Sequence, residues 1–191
     1  TQHRFIETIS ANIANADVTR TDAGGPYQRQ VAVNTGNGTT IVKDTSEGRL
    51  VYDPGHPDAD ATGYVHMPNV DIATEMVDLM VARLDTQLRN KDMGLEITVK
   101  AKMLLAKKGY DPVLGARPLR RTIQREIEDM LSEKILYGEL APGQIVVVDT
   151  VPEDPMKKPE PGKDVPEKFT FRGEPKPAVV PDAPPVNITA E

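Results

Sequence analysis

One stretch limits the folds open to this chain more than any other. Residues 70–92, VDIATEMVDLMVARLDTQLRNKD, repeat apolar residues at three- and four-residue steps: Ile72, Met76, Leu79, Met80, Leu84 and Leu88. Glu75, Asp78, Arg83, Asp85, Arg89 and Lys91 fill most of the remaining positions. That periodicity predicts an amphipathic helix over 72–92 with one face toward a core and the charges toward water. Asp71 is placed to accept from the free N–H groups of the first turn.

The core available to such a helix is modest. Trp and Cys are absent, and five Tyr and three Phe are the only large aromatics among 191 residues. Val, Ile, Leu and Met must therefore build the interior. Without cysteine there is neither a disulfide nor a thiolate metal site, as fits a reducing compartment. A net charge of −6 argues against nucleic-acid binding. No long apolar run suggests membrane insertion or a signal peptide. The chain opens on Thr1 rather than Met, as a piece of a longer protein or a processed product would.

Ahead of the central helix, residues 2–14 read as a helix with Phe5, Ile6, Ile9 and Ile13 in one stripe, closed by Asn15, Ala16 and Asp17. Residues 28–33, 39–43 and 50–52 read as short strands, and 53–63 as a Pro-, Gly- and Asp-rich loop. Asp53, His56, Asp58 and Asp60 hold metal-ligand chemistry. They sit together in one loop, and a calcium loop begun at Asp58 reaches Asn69 where it needs a bidentate Glu. A surface loop with fixed turns is the reading preferred. Asn37 and Asn187 match the glycosylation pattern, which without a secretion signal is read as chance.

Behind it, Leu95–Ile97 reads as a strand. Thr98 caps a helix to Lys108, with Ala101, Leu104 and Leu105 inward, and Gly109 is expected to stop it in the left-handed region. Pro118 suits the first position of a further helix, 118–137, whose stripe is Leu119, Ile123, Ile127, Met130, Leu131 and Ile135, with Gly138 as its stop. Residues 144–149 and 168–172 read as an antiparallel strand pair. Residues 150–166 read as a flexible insertion, and 174–191 as a disordered Pro-rich tail.

Two resemblances follow. Ser10–Asp17, Thr19–Thr21, Gly24–Tyr27, Val51–Asp60, Gly63–Val65 and Met67–Asp71 resemble the signature of bacterial flagellar rod proteins, nearest the proximal-rod family FlgC, over about residues 5–80. That resemblance implies a structural role in the basal body, built on pairing terminal helices, with flagellar rod subunits as partners. Gly109–Glu128, together with Val77–Met80, Leu95–Glu96, Ala101–Lys102, Leu131–Leu136 and Pro142–Ile145, resembles the C-terminal small subdomain of class-I Clp AAA+ ATPases of the ClpC/ClpB type, over about residues 75–173. It implies a cytoplasmic lid subdomain with other Clp-type subunits as partners. It also implies that Arg117, beside Gly115 and Ala116, is the sensor-2 arginine that reaches the γ-phosphate of a nucleotide held on a large ATPase subdomain. Arg120, Arg121 and Arg125 become interface candidates.

The chain itself contains no G-x-x-x-x-G-K-[ST] loop and no apolar strand ending in paired acids for Mg²⁺. No catalytic residue and no cofactor of its own are expected, ATP and Mg²⁺ entering only with a large subdomain. The expected class is α+β. Residues 1–71 form a rod-like segment, 72–173 a small AAA+-type lid subdomain, and 174–191 the tail. The central helix is the seam between the two patterns, as in a chimera.

Overall fold

The computed structural model describes residues 2–35, 38–111, 116–152 and 167–175. They fall into two compact units that part inside one helix, between Leu79 and Met80.

In the first unit, α1 (Gln2–Ala14) is followed by the hairpin β1 (Gln30–Thr35) and β2 (Gly38–Lys43), then by β3 (Leu50–Tyr52) and β4 (Tyr64–His66). Both strand pairs are antiparallel and two-stranded. The strand β4 was not foreseen, because only three residues separate the loop from Met67. The stripe expected on α1 is also corrected. Phe5, Thr8, Asn12 and Ala16 are the buried positions, while Ile6, Ile9 and Ile13 are half-buried. Two polar residues take the inner face because each finds its partner there, Thr8 by donating to the Arg4 carbonyl at 2.8 Å.

The seam helix is α2 (Ile72–Arg89). Asp71 caps it as expected, accepting from the Ala73 N–H at 3.1 Å and the Thr74 hydroxyl at 2.7 Å. It ends three residues early. Asp92 is left-handed, with φ 56°, and the Met93 N–H reaches back to the Leu88 carbonyl at 3.0 Å. These are the marks of a Schellman stop, here on Asp in place of Gly. The inner face differs from the expected stripe: Ala73, Val77, Val81, Ala82, Leu84 and Leu88 are buried, and Met76, Leu79 and Met80 only half so. Glu75 and Asp85, expected in water, are each 1% exposed.

The second unit continues with β5 (Gly94–Ile97), α3 (Val99–Gly109), α4 (Ala116–Ile123), a π-turn (Gln124–Glu128), α5 (Asp129–Leu136), β6 (Gln144–Pro152) and β7 (Glu167–Pro175). The sheet order is β5-β6-β7, with β5 parallel and β7 antiparallel to β6. A parallel pair needs a long crossover, which the three helices provide. The expected α+β mixture of helices and strands is what forms here. Val146 and Val148 on the central strand are fully buried, as are Leu105, Leu119 and Ile127, with Leu95 and Leu131 nearly so.

Several boundaries move. Thr150–Pro152, assigned to the insertion, complete β6 by pairing with Phe169–Glu167, and Glu174 and Pro175, assigned to the tail, complete β7. Once two strands are in register, the ladder extends as far as donors and acceptors remain opposite one another. The rest of the insertion, 153–166, and of the tail, 176–191, lie outside the described residues, as do Asn37 and Asn187. Pro118 is the third helical residue rather than the first, which it tolerates because first-turn N–H groups have no partner within the helix.

The helix expected over 118–137 is interrupted. Leu119, Ile123, Ile127 and Leu131 recur at unbroken four-residue steps and are all at most 2% exposed. In a pure α-helix three such steps drift by about 120° around the axis. The π-turn adds one residue and returns about 100° of that drift. Met130, assigned to the stripe, is 39% exposed because the corrected phase turns it outward.

Candidate functional site: the arginine face of the second unit

The site is built on α4. Leu119 and Ile123 anchor its inner side at 0% and 2% exposure, with Thr122 beside them. Arg117, Arg120 and Arg121 are then left exposed at helical three- and four-residue spacing. Among the described residues none of the three takes part in an ion pair. Arg117 is the second residue of an eight-residue helix that has no acid in its first turn. The positive end of the helix dipole disfavours a cation there by a few tenths of a kcal/mol. Gly115 lies outside the described residues. Ala116 opens the helix.

Arg125 differs from the other three. It is exposed, but its guanidinium donates to the Glu126 carboxylate at 3.0 and 3.3 Å. Glu126 also stands 3.9 Å from the Lys108 ammonium, which lies 5.1 Å from the centre of the Phe169 ring. This cluster links the end of α3, the π-turn and β7. The sequence reading did not identify it.

Gly109 fixes how closely α4 approaches α3. It was expected to be the left-handed stop of α3, and it is instead the last helical residue, with no positive φ; Tyr110 follows in extended conformation at φ −88°. A Cβ on Gly109 would stand 2.8 Å from Leu119 Cα, 2.9 Å from Leu119 Cδ1 and 3.1 Å from Thr122 Cβ. Glycine is required here by contact, not by dihedral angle. At the start of α3, Thr98 accepts from the Ala101 N–H at 3.3 Å and donates to the Asp149 carboxylate at 2.8 Å, tying the helix to β6. Hydrogen bonds from the Thr150 N–H and from the Thr98 hydroxyl hold the Asp149 carboxyl below its ordinary pKa.

The first unit has its own polar centre. Asn12 uses its side-chain amide fully: it donates to the Gln30 carbonyl at 2.8 Å and to Glu75 at 3.0 Å, and accepts from the Gln30 N–H at 2.8 Å and the Tyr27 hydroxyl at 3.0 Å. Arg29 Nε donates to Glu75 at 2.6 Å. Burial raises the Glu75 pKa, opposed by the Arg29 charge. The Asp53–Asp60 loop is held by its own side chains. Asp60 accepts from the N–H groups of Thr62 and Tyr64, and Asp58 takes the Thr19 hydroxyl and the Arg20 guanidinium. Among the described residues no group of three or more His, Cys, Asp or Glu is arranged to hold a metal ion.

A family profile described as "C-terminal, D2-small domain, of ClpB protein" matches residues 70–148. Residues 70–148 are thus similar to a D2-small domain of the ClpB/ClpC kind. The chain is 43% identical over 76 residues to Chaperone protein ClpB of Aquifex aeolicus, covering 40% of this chain and 8% of that protein. It is 46% identical over 76 residues to the Bacillus subtilis Negative regulator of genetic competence ClpC/MecB, covering 40% of this chain and 9% of that protein. A third relative, the ATP-dependent Clp protease ATP-binding subunit ClpA homolog of Trieres chinensis, is 44% identical over 89 residues, or 47% and 10% of the two chains. The chain thus spans about a tenth of the length of these curated relatives. None of these matches lends support to the flagellar rod segment expected over residues 1–71. No helix among the described residues is long and apolar enough to cross a membrane.

Proposed function

We propose that the D2-small segment is a non-catalytic lid and assembly module for a Clp-type, ATP-dependent chaperone. In this reading Arg117 is the sensor-2 arginine. Arg120 and Arg121 bear on a neighbouring subunit, and Arg125 joins them when Glu126 releases it. The reading is carried by the exposed arginine face of α4, without an ion pair among the described residues and held on a buried inner ridge, with Arg117 in the first turn where its charge is unfavourable for stability. A planar guanidinium suits phosphate oxygens and carboxylates alike. The phosphate cradle and the Mg²⁺ belong to a large ATPase subdomain, so turnover requires that partner.

The test mixes the purified chain with the separately produced large D2 subdomain of a ClpB relative and follows phosphate release from ATP. The chain alone should give none, and the mixture should turn over. Arg117→Ala should lower that turnover at least about a hundredfold, as expected when one charge-stabilising donor is lost. Equal turnover with Arg117→Ala refutes the assignment.

A second reading rests on residues 1–79 forming a unit of their own around Asn12 and Glu75. Together with the resemblance of their motifs to those of rod proteins, this is the basis for reading a structural rod-like segment joined to the lid module. Restoration of motility by this chain in a strain lacking its proximal-rod protein would establish that role, and failure to enter basal bodies would dismiss it.

A further inference from the structure

A groove of about 350 Å³ runs between the C-terminal half of α2 and α5. Leu84, Leu88, Leu131 and Ile135 form its floor, three of them buried and Ile135 half-buried. Lys91 and Glu128 stand exposed at its edge, and among the described residues neither pairs with an opposite charge. Leu136, next to Ile135 on α5, is 82% exposed, and Tyr137 after it is 71% exposed. An apolar floor, one cation, one anion and a protruding leucine together make a self-complementary patch. Across a two-fold axis the Lys91 of each copy would face the Glu128 of the other.

We propose that this groove is the seat of a second copy of the chain, giving a closed two-fold dimer. The charge arrangement favours that occupant. A partner of a single charge sign would satisfy one edge residue and oppose the other, whereas an identical patch satisfies both. The proposal does not rest on the lid reading, because self-association and nucleotide turnover are read in separate assays.

The test is sedimentation velocity of the full chain across a micromolar concentration series. Wild type should pass from monomer to dimer and stop there. Lys91→Glu and Glu128→Lys each create two like-charge contacts per dimer and should each weaken association by about tenfold. The double variant Lys91→Glu/Glu128→Lys restores both pairs in reversed order and should dimerise nearly as wild type does. Leu136→Ser should also weaken the dimer. All three positions are exposed, and unchanged far-UV circular dichroism separates lost association from lost folding. A chain monomeric throughout, association that continues beyond a dimer, or a double variant no better than the single ones would overturn the proposal.

Discussion

Gly109→Ala sets two ordinary effects against each other, and the structure decides the sign. Replacing a helical glycine by alanine normally stabilises by about 0.5–1 kcal/mol, because glycine has more backbone freedom to lose. At Gly109 the added methyl meets Leu119 Cα at 2.8 Å, and that atom belongs to the backbone of α4. It cannot rotate aside as a side-chain tip could. Relief requires moving α4 by several tenths of an ångström, while Leu119 and Ile123 hold it in a tightly packed interior. Overpacking of this kind costs about 1–3 kcal/mol. The net expectation is a loss of about 1–2 kcal/mol, or about 4–16 °C in melting temperature for a unit of this size. Thermal unfolding followed at 222 nm, with urea titration as a check, measures it. The reasoning fails if Gly109→Ala melts at or above the wild-type temperature. Ala106→Gly on the same helix provides the control, since a helical glycine there should destabilise by propensity alone.

Asp149→Asn should cost about 1 kcal/mol by weakening the bonds from Thr98 and the Thr150 N–H. The Asp149 pKa is lowered in the fold, so its contribution is present above the unfolded carboxylate value and is lost as pH falls through the folded value. Wild type should therefore lose stability on the acid side more steeply than Asp149→Asn, as urea midpoints across a pH series would show. Glu75 has the opposite sign. With its folded pKa raised, the folded state holds the extra proton between the unfolded and folded values, so the Glu75 contribution falls as pH rises through that window. Glu75→Gln should remove that slope, and an unchanged slope would count against burial as its cause.

The helices were legible in the sequence because three- and four-residue steps of Val, Ile and Leu leave a strong signal. The caps were legible for a local reason too: Asp71 and Thr98 act on N–H groups two or three residues away. The errors concern partners distant in sequence. Glu75 and Asp85 look like solvent positions until Asn12, Arg29 and the Leu95 N–H are brought to them. Gly109 looks like a helix terminator until Leu119 is seen against it. The four-residue repeat of Leu119, Ile123, Ile127 and Leu131 was itself a readable sign of the π-turn, since an undistorted α-helix cannot keep that ridge on one face. The arginine face was visible as a motif. Its three members without an ion pair among the described residues separate from Arg125 only when Glu126 is in place.

The seam helix carries one buried carboxylate in each unit, and this has a measurable consequence. Glu75 accepts from Asn12 and Arg29. Asp85 accepts from the Leu95 N–H at 3.0 Å and from Arg89 at 2.8 Å. The two lie ten positions apart in sequence, about 15 Å along an α-helix, and these bonds share no partner. The hydrogen-bond partners just named for each carboxylate belong to its own unit. Asp85→Asn should cost about 1–3 kcal/mol, because a charged acceptor of a buried N–H is replaced by a weaker one. Glu75→Gln weakens the acceptor facing Arg29 but also removes a buried charge that the fold disfavours, so its loss at pH 7 should be smaller than that of Asp85→Asn. If the two networks are independent, the double variant should lose the sum of the single losses to within about 0.5 kcal/mol. Urea denaturation of the four proteins closes that cycle. A coupling above about 1 kcal/mol would mean that the halves of the helix are not independent, and the account of the seam as two local contracts on one helix would have to be abandoned.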